Sequence, residues 1–193
     1  MDTVEIKRIT KETEIIVRLN PYGIGNSTIS TGIPFFDHML TLFSRHGFFD
    51  IELKAVGDVD VDFHHTVEDV GIVLGEAFKK ALGDIKSIKR YGFFKLPMDE
   101  ALAEVVCDIS GRPNLIFNVN LPQGKVGDFD TELVESFFKG FVDHMGLTLH
   151  VNLLYGKNLH HCIESVFKAF AKAFSMAIEN EPRYEVPSTK GVI

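Results

Sequence analysis

An HHTVE run at His64–Glu68 returns as HHCIE at His160–Glu164, ninety-six positions later in the same chain. Few features constrain a fold more, because similarity at a fixed interval requires an architecture that can be built twice. Overlaid without a gap, residues 64–83 and 160–179 match Val67 with Ile163, Val70 with Val166, Phe78 with Phe174 and Leu82 with Ile178. These apolar positions keep helical spacing, so each segment predicts an amphipathic helix packing one face on a core. Two copies indicate a duplicated domain, since a solenoid needs about three or more units.

The flanking segments fit the same plan. Residues 3–20 alternate as two short strands with charged outer faces, and PYGIGN (21–26) is turn-rich. Pro34 opens a helix that Gly47 closes, and 48–58 alternates as a strand before the first His-His helix, with Asp62 as its cap. In the second half, 90–112 and 115–121 predict strands, 129–146 a helix, 147–156 a strand, and then the second His-His helix. Each half thus reads strand, strand, helix, strand, helix. The expected fold is α+β, an internally duplicated two-layer sandwich. Each half would be a mostly antiparallel four-stranded sheet with two helices on one face. Residues 1–88 and 89–180 are the expected halves, and 181–193 an extended tail.

Charge and composition exclude several roles. A net charge of −7 without a long basic run argues against nucleic acid. The charged start MDTVEIKRITKE is unlike a signal peptide, and no apolar stretch approaches the roughly 18 residues of a membrane span. Cys107 and Cys162 lack paired-motif spacing and suit reduced, buried thiols. A cytoplasmic protein without membrane or nucleic-acid partners is expected.

The chemistry lies in the repeated motif. His64 with Glu68, and His160 with Glu164, are i, i+4 pairs that share a helical face and suit one metal ion each. Adjacent His65 and His161 point about 100 degrees away and would serve another ion. If the two helices pack together, one metal takes His160, Glu164 and His65, and the other His64, Glu68 and His161. Imidazole with carboxylate suits Mn, Fe, Co, Ni or Zn better than Mg or Ca. The bland alternative is that such pairs only cap or pack, and duplication in register weighs against it. His38 is a further candidate, 26 positions before His64; Ser136 stands two dozen before His160, so the repeat loses a ligand there. His144 echoes the DHM of 37–39 at the wrong offset and reads as surface or interface, and His150, like His46, is a weaker candidate.

GIPFFDHML, DFHHTVED, SGRPNL, TELVESFF, LHVNLLYGKNLHH and PSTKG together resemble the imidazoleglycerol-phosphate dehydratase family, almost end to end. The resemblance implies removal of water from imidazoleglycerol phosphate to give imidazoleacetol phosphate, in histidine biosynthesis. It implies two Mn2+ ions per subunit and a hollow homo-oligomer of twenty-four subunits with sites at subunit boundaries. One manganese would take His38, His65, His160 and Glu164. The second would take His64, Glu68 and His161, with neutral Ser136 where many relatives carry a ligand. Arg90, Arg112, Lys168, Ser188 and Lys190 would bind phosphate, by guanidinium forks and lysine point charges. Glu12 and His46 would meet substrate and, with Glu68 and Glu164, form the catalytic set. Metal coordination of the ring would favour an imidazolate able to expel the neighbouring hydroxyl, with Glu12 moving protons. The rivals are a dinuclear phosphate-ester hydrolase and a non-catalytic metal-binding particle.

Overall fold

The computed structural model describes residues 3–193. Strands β1 (Val4–Ile9), β2 (Thr13–Asn20), β3 (Ser27–Ser30) and β4 (Asp50–Gly57) form one sheet in the order β1-β2-β4-β3. Strands β5 (Tyr91–Met98), β6 (Ala101–Asp108), β7 (Asn114–Asn118) and β10 (Thr148–Tyr155) form the second, in the order β5-β6-β10-β7. Pairing is antiparallel except for β3 with β4 and β7 with β10. The mostly antiparallel, duplicated α+β plan is therefore present.

Two elements differ from the sequence expectation. β3 stands where no strand was assigned, because STIS is short and polar and is held by parallel pairing to the distant β4. Helix α3 is Leu133–Met145 and does not begin at 129; Phe129–Asp130 is instead strand β9, paired with β8 (Lys125–Val126). The other helices, α1 (Pro34–Gly47), α2 (His64–Leu82) and α4 (Leu159–Ile178), lie where periodicity placed them. Proline at the start of α1 loses no intrahelical bond, since the first N–H groups have no partner there.

Helix α2 packs on the first sheet and α4 on the second, and the halves join where α1 meets α4 and α2 meets α3. Phenylalanine fills this seam. Phe43 stacks on Phe170 at 5.1 Å, and Phe78 meets Phe141 at 5.8 Å, all four fully buried. At roughly 1.5–3 kcal/mol per buried side chain of this size, such a seam makes the halves one body.

The α2–α3 contact is closer still. A Cβ on Gly71 would lie 2.4 Å from the Phe137 carbonyl oxygen, and one on Gly140 would lie 2.6 Å from that of Glu68. Only glycine allows this approach. Cys107 and Cys162 are both buried and free, with burial pushing the Cys107 thiol up to about 12. No helix among the described residues is long and apolar enough to cross a membrane.

Candidate metal centre

Helices α1 and α4 bring three sequence-predicted ligands together. His160 Nε2 lies 3.0 Å and His38 Nε2 3.4 Å from the same Glu164 oxygen, Oε2. The three ligand atoms lie within 4.8 Å of one another. His160 and Glu164 meet because they are one helical turn apart; His38 joins them through packing of α1 on α4. Glu164 is buried at the back while the histidines are open to solvent. Burial alone would raise the Glu164 carboxyl, but bonds from Lys168 and His160 outweigh it and hold the group below its usual range. A carboxylate with two imidazoles fits a first-row transition metal, and the Lys168 ammonium on the second carboxylate oxygen fixes the first.

The equivalent place on α2 and α3 is less complete. His64 Nε2 lies 3.9 Å from Glu68 Oε2, both half-exposed. Asp62 accepts the His64 backbone N–H at 2.7 Å, but it stands one residue before the cap position, which is Phe63 and not Asp62 as the sequence suggested. Helices α1 and α3 end alike, on the left-handed residues Phe48 and Gly146, ninety-eight positions apart. In each, the next N–H closes on a carbonyl five residues back: Phe49 on Ser44, Leu147 on Val142. That register superposes His38 on Ser136 and His46 on His144. The interval falls to ninety-six at the histidine pairs because a bulge adds one residue to β10 between Leu153 and Tyr155, while the segment from Gly156 to His160 is three residues shorter than that from Gly57 to His64. His144 is thus the counterpart of His46, a relation the ninety-six-residue offset concealed. Its Nδ1 donates to the Gly140 carbonyl at 2.9 Å. His150 lies on β10, away from these groups.

Within the chain, His65 and His161 join neither group. The two His-His helices touch only toward their C-terminal ends, where Phe78 meets Phe174 at 4.9 Å; the main helical partner of α2 is α3 and that of α4 is α1, which corrects the expectation that packing of the two helices brings their histidines together. Ring nitrogen Nδ1 of His65 donates to Asp58 at 2.9 Å, and that of His161 to Glu100 at 2.7 Å. These bonds raise both imidazoles above their ordinary pKa and lower Glu100 to about 2. Sequence reasoning missed Asp58 and Glu100, which lie in turns outside the repeated motif. Glu12, at the β1–β2 turn, is half-exposed and 3.9 Å from His65 Nδ1. Its hairpin is tied to α2 by buried Asp69, which accepts from Thr13 at 2.5 Å and Arg8 at 3.2 Å. His46 faces Lys168 and Lys172 in the last turn of α1, and burial, then those two charges, lowers its pKa.

Four of the expected phosphate residues form a separate pocket. Arg90, Arg112, Ser188 and Lys190 line a cavity of about 180 Å³, with Ser110. Arg90 is bound bidentately by Asp108 at 2.6 and 3.1 Å and donates to the Pro187 carbonyl at 2.7 Å, anchoring the tail. Among the described residues the Arg112 guanidinium has only a 3.4 Å contact, to the Ser110 carbonyl, so its fork remains available. The fifth residue, Lys168, lies elsewhere: its Nζ is 3.6 Å from Met98, at the far end of the eight-residue strand β5. At about 3.3 Å per residue, that strand separates the pocket from the Glu164 group by roughly 25 Å.

A family profile for imidazoleglycerol-phosphate dehydratase matches residues 31–174. The enzyme of that name from Pelobacter propionicus is 59% identical over 192 residues, covering 99% of this chain and 98% of its own. That from Geobacter sulfurreducens is 54% identical over 187 residues, 96% of each chain. The crystal structure of the Staphylococcus aureus dehydratase superposes with a TM-score of 0.84 at 42% identity, over 93% of this chain and 99% of that one. The Pyrococcus furiosus structure, in complex with (S)-C348, gives 0.85 at 35% identity, over 97% and 100%.

Proposed function

Since the chain belongs to the imidazoleglycerol-phosphate dehydratase family, we propose that it converts imidazoleglycerol phosphate to imidazoleacetol phosphate and water, as a cytoplasmic enzyme of histidine biosynthesis. The observation that carries this reading is the convergence of His38, His160 and Glu164 on one point. Two manganese ions per subunit are proposed. The first is held by His38, His160 and Glu164 with His65 of another subunit, the second by His64 and Glu68 with another subunit's His161. The separation of the phosphate pocket from the histidines supports sites completed between subunits; the assembly proposed, on family resemblance, has twenty-four.

When bound, the metal pair supplies Lewis acidity at the substrate's imidazole ring. The chain's own residues supply the rest. Arg112, Ser188 and Lys190 grip the phosphate and orient the glycerol carbons, while Arg90 holds the tail that presents two of them. The hydroxyl beside the ring leaves with a proton as water. A hydrogen is lost from the next carbon, and the resulting enol tautomerises to the ketone. Glu12, exposed on its hairpin tip, moves a proton at these carbons. His46, kept neutral by burial and two lysines, is the second group suited to accept one.

The test is turnover by metal-stripped protein before and after manganese is added, following the ketone. Manganese-dependent ketone is expected. Two bound metals without ketone would reject the activity, and release of inorganic phosphate would substitute the hydrolase.

A further inference from the structure

The β1–β2 and β5–β6 hairpins are structural equivalents, and strand pairing fixes their register. Val4 pairs with Leu19 and Leu19 with Ile51; correspondingly, Gly92 pairs with Cys107 and Cys107 with Leu149. The hairpins therefore lie eighty-eight positions apart, and the counterpart of Glu12 is Glu100.

The two carboxylates have different surroundings. Among the described residues Glu12 makes no close side-chain bond; its nearest imidazole, His65, is 3.9 Å away and is already bonded to Asp58. Glu100 is fully engaged. Its Oε1 accepts the backbone N–H groups of Lys157 at 3.2 Å and Asn158 at 2.7 Å, and its Oε2 accepts from His161 Nδ1 at 2.7 Å. The difference lies in the first residue after the strand. Strand β10 bulges by one residue between Leu153 and Tyr155, so Gly156 matches Gly57 and Lys157 stands where the first half has Asp58; the second half thus has no counterpart of the Asp58 carboxylate.

We propose that Glu100 is a positioning residue for metal binding, holding His161 with its proton on Nδ1 and its lone pair on Nε2. It performs in the second half what Asp58 performs for His65 in the first, which leaves Glu12 as the hairpin carboxylate free for substrate. A hydrogen bond to one imidazole nitrogen decides which tautomer presents the other to a metal. Asp99 Oδ2, 3.7 Å from Nε2, sits on an exposed side chain and gives no comparable hold. The inference rests on His161 being a metal ligand.

Glu100→Gln separates positioning from a purely structural role. The amide oxygen still accepts the Lys157 and Asn158 N–H groups, while its NH2 faces Nδ1 and demands the tautomer protonated on Nε2. Turning the amide over would strand both backbone donors. Manganese titrations of full-length wild type, Glu100→Gln and His161→Ala, with 15N NMR of the histidines in metal-free protein, test it. Expected are a roughly 10- to 100-fold loss of affinity at one of the two metals in Glu100→Gln, a shift of His161 to the Nε2–H tautomer, and little change in melting temperature. Weaker binding in His161→Ala with unaltered binding in Glu100→Gln overturns the positioning role alone. Unaltered binding in both removes His161 from the ligand set and the inference with it.

Discussion

His38 and Ser136 occupy equivalent positions in the two halves, one turn or so into helices that end ninety-eight residues apart on the same left-handed cap. In one half the position holds an imidazole 3.4 Å from Glu164. In the other it holds a hydroxyl, beside a His64–Glu68 pair that stands open at 3.9 Å. The duplication has thus kept the frame and changed the side chain, which makes the two proposed metal positions chemically unequal.

Restoring the imidazole should restore the symmetry. Ser136→His is expected to tighten manganese at the His64–Glu68 position by roughly tenfold or more, since even a partner outside the ligand set is worth that much. Calorimetric titration would register it as strengthening of the weaker of two binding events. No change would mean that the α3 position does not face the metal.

Gly71→Ala should destabilise the chain by about 1–3 kcal/mol, the usual cost of overpacking, because the new methyl would lie 2.4 Å from the Phe137 carbonyl. A backbone atom cannot step aside as a flexible side chain can. Urea denaturation with an unchanged midpoint would show that α2 and α3 separate freely.

Arg112→Ala should raise KM about 10- to 100-fold, by loss of a charge-assisted bond worth about 1.5–3 kcal/mol, while metal content stays constant. Arg90→Ala should have the broader effect of loosening the tail, since its guanidinium is bound by Asp108 and Pro187. Equal KM in wild type and Arg112→Ala would place the phosphate elsewhere.

Glu12→Gln should retain both metals and lower kcat by about 10²- to 10⁴-fold, the usual worth of a general acid–base group. Amide and carboxylate have the same shape, so the hairpin and its Asp69 anchor are undisturbed. Near-normal turnover would transfer the proton to His46.

The sequence alone determined whatever depends on one helical turn or one strand. His160 with Glu164 and His64 with Glu68 were legible because i, i+4 geometry is local and follows from helix formation. The duplication and the positions of α1, α2 and α4 were legible for the same reason. Tertiary structure decided what depends on partners distant in the chain. The short, mostly polar segment 27–30 becomes a strand only because β4 offers it an edge. His38 reaches Glu164 only because α1 lies on α4, and that same choice of partner keeps His65 and His161 out of both groups within the chain. The correspondences of His46 with His144 and of Glu12 with Glu100 were hidden because the repeat interval changes along the chain, from eighty-eight to ninety-eight to ninety-six. Loops absorb such changes without disturbing the core, so strand register and helix ends preserve an equivalence that residue counting loses.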